Sequence, residues 1–372
     1  MQYNQRQQVL NKVYKFGEDL YLPDSKIQIS HYSFQSTYQY GFDTRQSYFN
    51  DNITENNQFL YAVFHPSERT KNTGAIILLH GLNERFWNKY LTWAEYLCSK
   101  TGKAVILFPI AYHMNRSSST WTNPRLINPY YQNRLEEVDE NQSLSLANIA
   151  FSERISQDPL RFYNSGKQTL TDLVQLMSEI QQGEHPLFEA KTKIDFFAYS
   201  IGALLAQVAF IANPKGLLNN SKLFLFCGGS IFSSMAGESR LIMDKVAFEK
   251  LFDYYQHYFN ASSTNESEKD GTYQGFYSMI CMEHNQEKRR NFFEKNKTRI
   301  KGISIKSDKV IPYSGVEIAM GKSNANDCIA LLDTNYGFTH EVPFPTNKPQ
   351  QTEGIDSMFL RVFDTASEFL SV

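Results

Sequence analysis

The sequence is poor in cysteine, in net charge and in long apolar runs. Four cysteines, Cys98, Cys227, Cys281 and Cys328, are spread over 372 residues. Their spacing fits neither a CxxC nor a zinc pattern, so no disulfide framework is expected. Cys98 and Cys227 fall in apolar patterns and read as buried thiols. The formal net charge is −2, which gives no global field for nucleic acid. No apolar run reaches the roughly 18 residues of a membrane-spanning helix, so no membrane span is expected. The start, Met1-Gln-Tyr-Asn-Gln-Arg-Gln-Gln, lacks the apolar core of a signal peptide. With no disulfide pattern, this predicts a cytoplasmic protein, and triplets such as Asn260-Ala-Ser262 carry no weight as glycosylation sites. His65, His185, His257 and His284 share no ligand spacing. Gly228-Gly229-Ser230 lacks the further glycines and the lysine of a phosphate loop. No metal and no cofactor are therefore expected.

Aromatic residues are abundant, with 28 Phe and 22 Tyr. Most belong in a core and some should line a pocket. The length allows one large α/β domain with insertions or two domains, and residues 1–372 are read as one. Residues 1–74 read as an N-terminal extension and edge strands. Val9, Val13 and Phe16 allow a short leading helix. Strand signals lie at Lys26–Ser36 and Phe59–Phe64, with a polar turn at Asp51–Asn57 between them. Ala75–Leu79 is a continuous apolar run, as in a strand buried on both faces. A helix with Trp87, Tyr90, Leu91, Ala94, Leu97 and Cys98 on one face follows, stopped by Gly102. Ala104–Phe108 is the next buried strand, which makes a β-α-β unit with parallel strands.

Residues 111–166 carry little strand signal, apart from a short helix expected at Ser143–Ile155, and are too long for a plain loop. An amphipathic helix through Leu170, Leu173, Val174, Met177 and Ile180 then leads to a strand at Ile194–Ala198. A further strand at Leu223–Cys227 precedes a second long segment, 230–300, helical over Leu241–Phe259 and polar over Ser262–Gly271. Ile300–Lys306 and Asp327–Leu332 read as the last strands, and Phe359 to Leu370 as a terminal amphipathic helix. Strands alternating with helices predict a mostly parallel central sheet with helices on both faces. The two long segments leave that sheet at the edge where ligands bind, as cap or lid insertions. Trp121, Tyr130, Tyr131, Tyr254, Tyr255, Phe276 and Tyr277 would give the cap an aromatic surface or fill its core.

The chemistry centres on Ile194-Asp-Phe-Phe-Ala-Tyr-Ser-Ile-Gly202. A strand turns straight into a helix here, with Ser200 at the corner, between Tyr199 and Ile201. Read alone, Ser200 is a serine in an ordinary β-α turn. A nucleophilic serine needs a base, a group to orient that base and donors for an oxyanion. Asp308 follows the Ile300–Lys306 strand, and His340 lies in the loop before the last helix. The order Ser200, Asp308, His340 puts each residue just after a strand. Asp333, nearer His340 in sequence, is a reserve acid. After Ala75–Leu79, His80-Gly81-Leu82 makes a tight turn in which the Leu82 N–H would point at the same spot as that of Ile201. His80, Gly81, Tyr199 and His113 are further pocket candidates.

These features resemble the α/β-hydrolases of the serine esterase/lipase type. The resemblance rests on His80-Gly81, Ala198-Tyr-Ser200-Ile-Gly202, Asp308-Lys-Val-Ile-Pro312 and His340, and covers roughly residues 59–372 apart from the two insertions. It departs in Ala198, where glycine is more usual. It implies Ser200 as nucleophile, His340 as general base, Asp308 as its orienting acid, and the Leu82 and Ile201 N–H groups as oxyanion donors. The substrate would be a small acyl ester or amide, cleaved by water through an acyl-enzyme. Acyl transfer or peptide cleavage on the same residues, and a non-catalytic hydrolase-like binding protein, are the alternatives.

Overall fold

A computed structural model describes residues 2–38, 49, 51–137, 141–259 and 270–371. The expected triplet at Asn260 and residues 262–269 of the polar tract lie outside them. In chain order the elements begin with α1 (Tyr3–Val13), β1 (Leu20–Leu22), β2 (Ile27–Gln35), α2 (Thr54–Asn57), β3 (Gln58–Pro66) and β4 (Asn72–Leu79). Next come α3 (Asn88–Thr101), β5 (Ala104–Leu107), α4 (Pro124–Glu137), α5 (Ile149–Gln157), α6 (Leu160–Gln182), β6 (Phe188–Tyr199) and α7 (Ile201–Ala212). The remainder is β7 (Leu223–Phe226), α8 (Lys245–Asp253), α9 (Gly271–Ser278), α10 (Gln286–Asn296), β8 (Ile300–Ile305), α11 (Tyr313–Met320), α12 (Lys322–Cys328), β9 (Ile329–Leu332) and α13 (Thr352–Ser371).

The described strands form one sheet in the order β1-β2-β3-β5-β4-β6-β7-β8-β9. From β5 to β9 every pair is parallel, whereas β1, β2 and β3 pair antiparallel. The chain moves from β4 to β5 on one side and later returns to place β6 on the other side of β4. The crossover direction reverses at β4, and a crevice opens beyond the C-terminal ends of β4 and β6. This is the α/β-hydrolase fold.

Side-chain alternation along β6 divides the core. Phe196 and Ala198 face α6 and α7, while Phe197 and Tyr199 face α3 and α13. From Ala75 onward β4 is apolar, as is β5 along its whole length, because helices cover both faces. Gly102 caps α3 in the left-handed region.

Several elements differ from the sequence expectation. The leading helix forms, but Val9, Val13 and Phe16 are exposed. Its buried side is Tyr3, Gln7 and Leu10, because Tyr3 stacks on Phe359 and Gln7 accepts from the Thr92 hydroxyl. A polar docking contact leaves no trace in apolar periodicity. The expected polar turn at Asp51–Asn57 contains α2. Asp51 and Asn56 are buried there, because Asp51 pairs with Arg154 and Arg161 and the Asn56 carbonyl accepts from Arg116. Helix α6 starts at Leu160, inside the first expected insertion. Asp327 and Cys328 end α12 and do not begin the last strand. The helix expected from Leu241 starts at Lys245, where the Asp244 carboxylate caps the Ala247 N–H.

Among the described residues, no helix is long and apolar enough to cross a membrane.

Candidate active site

Ser200 joins β6 to α7 with φ 57° and ψ −124°. A non-glycine residue there costs on the order of 1–3 kcal/mol, which the surrounding packing must hold in place. The Ser200 N–H donates to the Phe226 carbonyl at 3.2 Å, and its own carbonyl accepts from the Ala203 N–H at 2.9 Å. The start of α7 lies almost on the backbone of β4. A Cβ on Gly202 would sit 2.7 Å from the His80 carbonyl oxygen and 2.8 Å from that of Leu79. Opposite, a Cβ on Gly228 would meet Ala203 Cβ at 2.3 Å. Ala198 is fully buried and accommodated.

The loops after β8 and β9 bring the other two residues to this corner. Ser200 Oγ is 2.6 Å from His340 Nε2, and His340 Nδ1 is 2.8 Å from Asp308 Oδ2. All three residues are buried. The second oxygen of Asp308, Oδ1, accepts from the N–H groups of Val310 at 2.9 Å and Ile311 at 3.0 Å. The carboxylate is thereby fixed in orientation, and it sets the proton on Nδ1 and the lone pair on Nε2. The His340 loop is pinned from below: the Tyr199 hydroxyl donates to the His340 carbonyl, and Lys89 Nζ donates to the Glu341 carbonyl at 2.8 Å. Asp333 lies elsewhere; it is exposed and pairs with Lys306 at 3.6 Å.

His80 is wholly buried and structural. Its Nε2 accepts from the Ile110 N–H at 2.9 Å, so Nδ1 carries the proton and donates to the Gly81 carbonyl at 2.8 Å. Burial holds the imidazole neutral, far below the usual histidine range. Because a trans peptide points its C=O and N–H in opposite directions, this bond aims the Leu82 N–H away from His80. The Gly81 N–H donates to the Tyr90 hydroxyl, which donates to Glu84. Glu84 in turn pairs with Lys89. The Ile201 N–H heads α7, where no intrahelical acceptor exists. His113 is also buried; its Nδ1 bonds to the Ala111 carbonyl at 2.9 Å. Burial, joined by the charges of Arg85, Arg154 and Arg116, pushes it down to about 4.

Among the described residues, three cavities reach this corner or the adjoining Leu82 and Ile201. An open cleft is lined by Gly81, Arg85, Tyr199, Ser200, His340 and Glu341. An apolar chamber runs past Leu82, Ile201 and Phe162 toward His113 and Phe276. A second apolar chamber reaches Ser200 from Phe232, Met243 and Val310. Of the expected cap aromatics, Trp121, Tyr255 and Phe276 are buried. Sequence reasoning missed Glu84, Lys89 and Tyr90, whose roles depend on the turn after β4. It also missed Arg85. Among the described residues, no group of His, Cys, Asp or Glu is arranged to hold a metal ion.

Solved structures with a similar course include a thermostable esterase from Pseudomonas putida, with 11% identity, covering 100% of this chain and 96% of that one at a TM-score of 0.41. Carboxyl esterase 2 from the fungus Tuber melanosporum has 9% identity, with 97% of each chain covered and a TM-score of 0.43. An esterase from Pyrobaculum calidifontis has 11% identity, with 98% and 92% covered and a TM-score of 0.42. No curated protein matches. A family model described as a family of unknown function (DUF6051) matches residues 1–371, and the chain belongs to that family.

Proposed function

We propose that the protein is a serine hydrolase that cleaves a carboxylic ester through an acyl-enzyme. The observation that carries this reading is the unbroken chain from Ser200 Oγ through the His340 ring to Asp308, set at a positive-φ corner. Ser200 Oγ attacks the ester carbonyl carbon as His340 Nε2 takes its proton. The tetrahedral oxyanion lies against the Leu82 and Ile201 N–H groups, at the start of α7 where negative charge is favoured. Collapse expels the alcohol, which receives the proton from His340. Water then attacks the acyl-enzyme with His340 again as base, releasing the acid and restoring Ser200. Asp308 keeps the imidazole in the reactive tautomer and stabilises the imidazolium.

In this reading residues 111–166 and 230–300 act together as a cap. Arg134 pairs with Asp244, and Ser143 donates to Glu238 at 2.9 Å, so the two segments are bonded to each other. Asn83, next to the proposed donor Leu82, donates to the carbonyls of Ala147 and Leu241, one in each segment.

The test is labelling with a fluorophosphonate probe. Wild type is expected to label at Ser200, and Ser200→Ala and His340→Ala to abolish it. A folded wild-type protein that does not label would refute the proposal.

A further inference from the structure

Among the described residues of the proposed hydrolase site, one cation, Arg85, has no use in the reaction proposed above. Four charged side chains line the open cleft: Glu84, Arg85, Lys89 and Glu341. Glu84 pairs with Lys89, and Glu341 accepts from the Ser239 hydroxyl. Arg85 is different. It makes no hydrogen bond or ion pair among the described residues, although its Nη1 is completely shielded from water. A buried guanidinium N–H without an acceptor forfeits its hydration and gains nothing in return. Its charge also acts on the buried His113, whose ring lines the apolar chamber next door. Arg85 itself lines the open cleft.

We propose that Arg85 determines specificity by binding a carboxylate carried on the alcohol portion of the ester substrate. This rests on the serine-hydrolase reading. The alcohol side is assigned because His340, which returns the proton to the leaving group, lines the same cleft as Arg85. The two chambers touching Leu82 and Ile201 are apolar and lack His340, and they suit the acyl chain. A single unpaired guanidinium matches one negative charge, and its planar fork matches a carboxylate. The substrate class is thus an acylated hydroxy acid.

The test uses full-length Ser200→Ala protein, which binds without turning over, and isothermal titration with butyryl glycolate and with its methyl ester. The acid is expected to bind about ten- to a hundredfold more tightly than the neutral ester, the range of a charge-assisted hydrogen bond. Arg85→Met and Arg85→Gln in the same background should remove that preference, and Arg85→Lys should restore part of it. Two mutants, each checked for folding by circular dichroism, guard against a loss that reflects misfolding. Equal binding of acid and ester, or a preference that survives both neutral substitutions, overturns the assignment. So does an Arg85-dependent preference seen only with monomethyl succinate, which carries its carboxylate on the acyl side. If these results come with normal fluorophosphonate labelling of wild type, the specificity assignment falls and the hydrolase reading stands. If labelling also fails, the hydrolase reading falls too.

Discussion

Replacing Asp308 by Asn tests the proposed mechanism at its most determined point. The two oxygens of Asp308 have different partners. Oδ1 accepts from the Val310 and Ile311 N–H groups, and Oδ2 faces His340 Nδ1. An asparagine must keep its oxygen toward the two backbone donors, because an amide NH2 there would meet donor against donor. Its nitrogen is thus forced toward His340 and donates to Nδ1. The ring proton then moves to Nε2, where it faces Ser200 Oγ and leaves no lone pair to accept the serine proton. The expected loss in kcat is about 10⁴-fold, or about 5.5 kcal/mol of transition-state stabilisation. The assay is hydrolysis of 4-nitrophenyl butyrate, with the labelling rate of Ser200 as a second readout and circular dichroism to check folding. Asp333→Asn is the control; its carboxylate faces Lys306 in solvent and its loss should leave kcat within about twofold. Activity of Asp308→Asn within tenfold of wild type, or a larger fall in Asp333→Asn, would refute the reasoning.

Two other outcomes follow from the packing and from buried histidine. Gly202→Ala places a methyl 2.7 and 2.8 Å from two backbone oxygens of the β4 end, so α7 must shift. The expected cost is about 1–3 kcal/mol, read as a lower denaturation midpoint together with slower labelling of Ser200; an unchanged midpoint would count against the close approach. His113 stays neutral in the fold down to about 4, whereas in the unfolded chain it protonates near the ordinary value of about 6.5. The unfolded state therefore gains the proton first, and stability should fall as pH drops from about 6.5 to 4, by up to about 3 kcal/mol from this residue. Denaturant titrations across that window should show a shallower fall for His113→Gln than for wild type. Parallel curves would mean that burial does not hold the ring neutral.

The parallel sheet was legible because strands buried on both faces read as unbroken apolar runs. Ala75–Leu79 and Ala104–Leu107 are such runs, and Gly102 marks the helix end before the second of them. Ser200, Asp308 and His340 were legible as joint candidates because Ser200 and Asp308 lie just beyond β6 and β8 and His340 lies in the loop after β9. Gly202 and Ala198 were recognisable as small residues from the tight turn alone. Other elements had no local signature. The buried side of α1 is chosen by Tyr3 and Gln7 docking on partners about 80 to 350 residues away in sequence, a scale that no local periodicity reports.

The sequence by itself determined the alternation of strands and helices, the apolar sheet centre and the positions of the three candidate site residues after strands, since all of these follow from local pattern. Tertiary structure alone decided which residues surround them. The Tyr90–Glu84–Lys89 network is joined to the His340 loop across 252 residues, through the bond from Lys89 to Glu341. The orientation of the Gly81–Leu82 peptide depends on His80 being locked by Ile110. Whether Arg85 has a partner among the described residues depends on which groups the fold places beside it. Distance in space between residues remote in sequence is set by the packing of whole elements, and a charge acquires its meaning only from the groups that packing places around it.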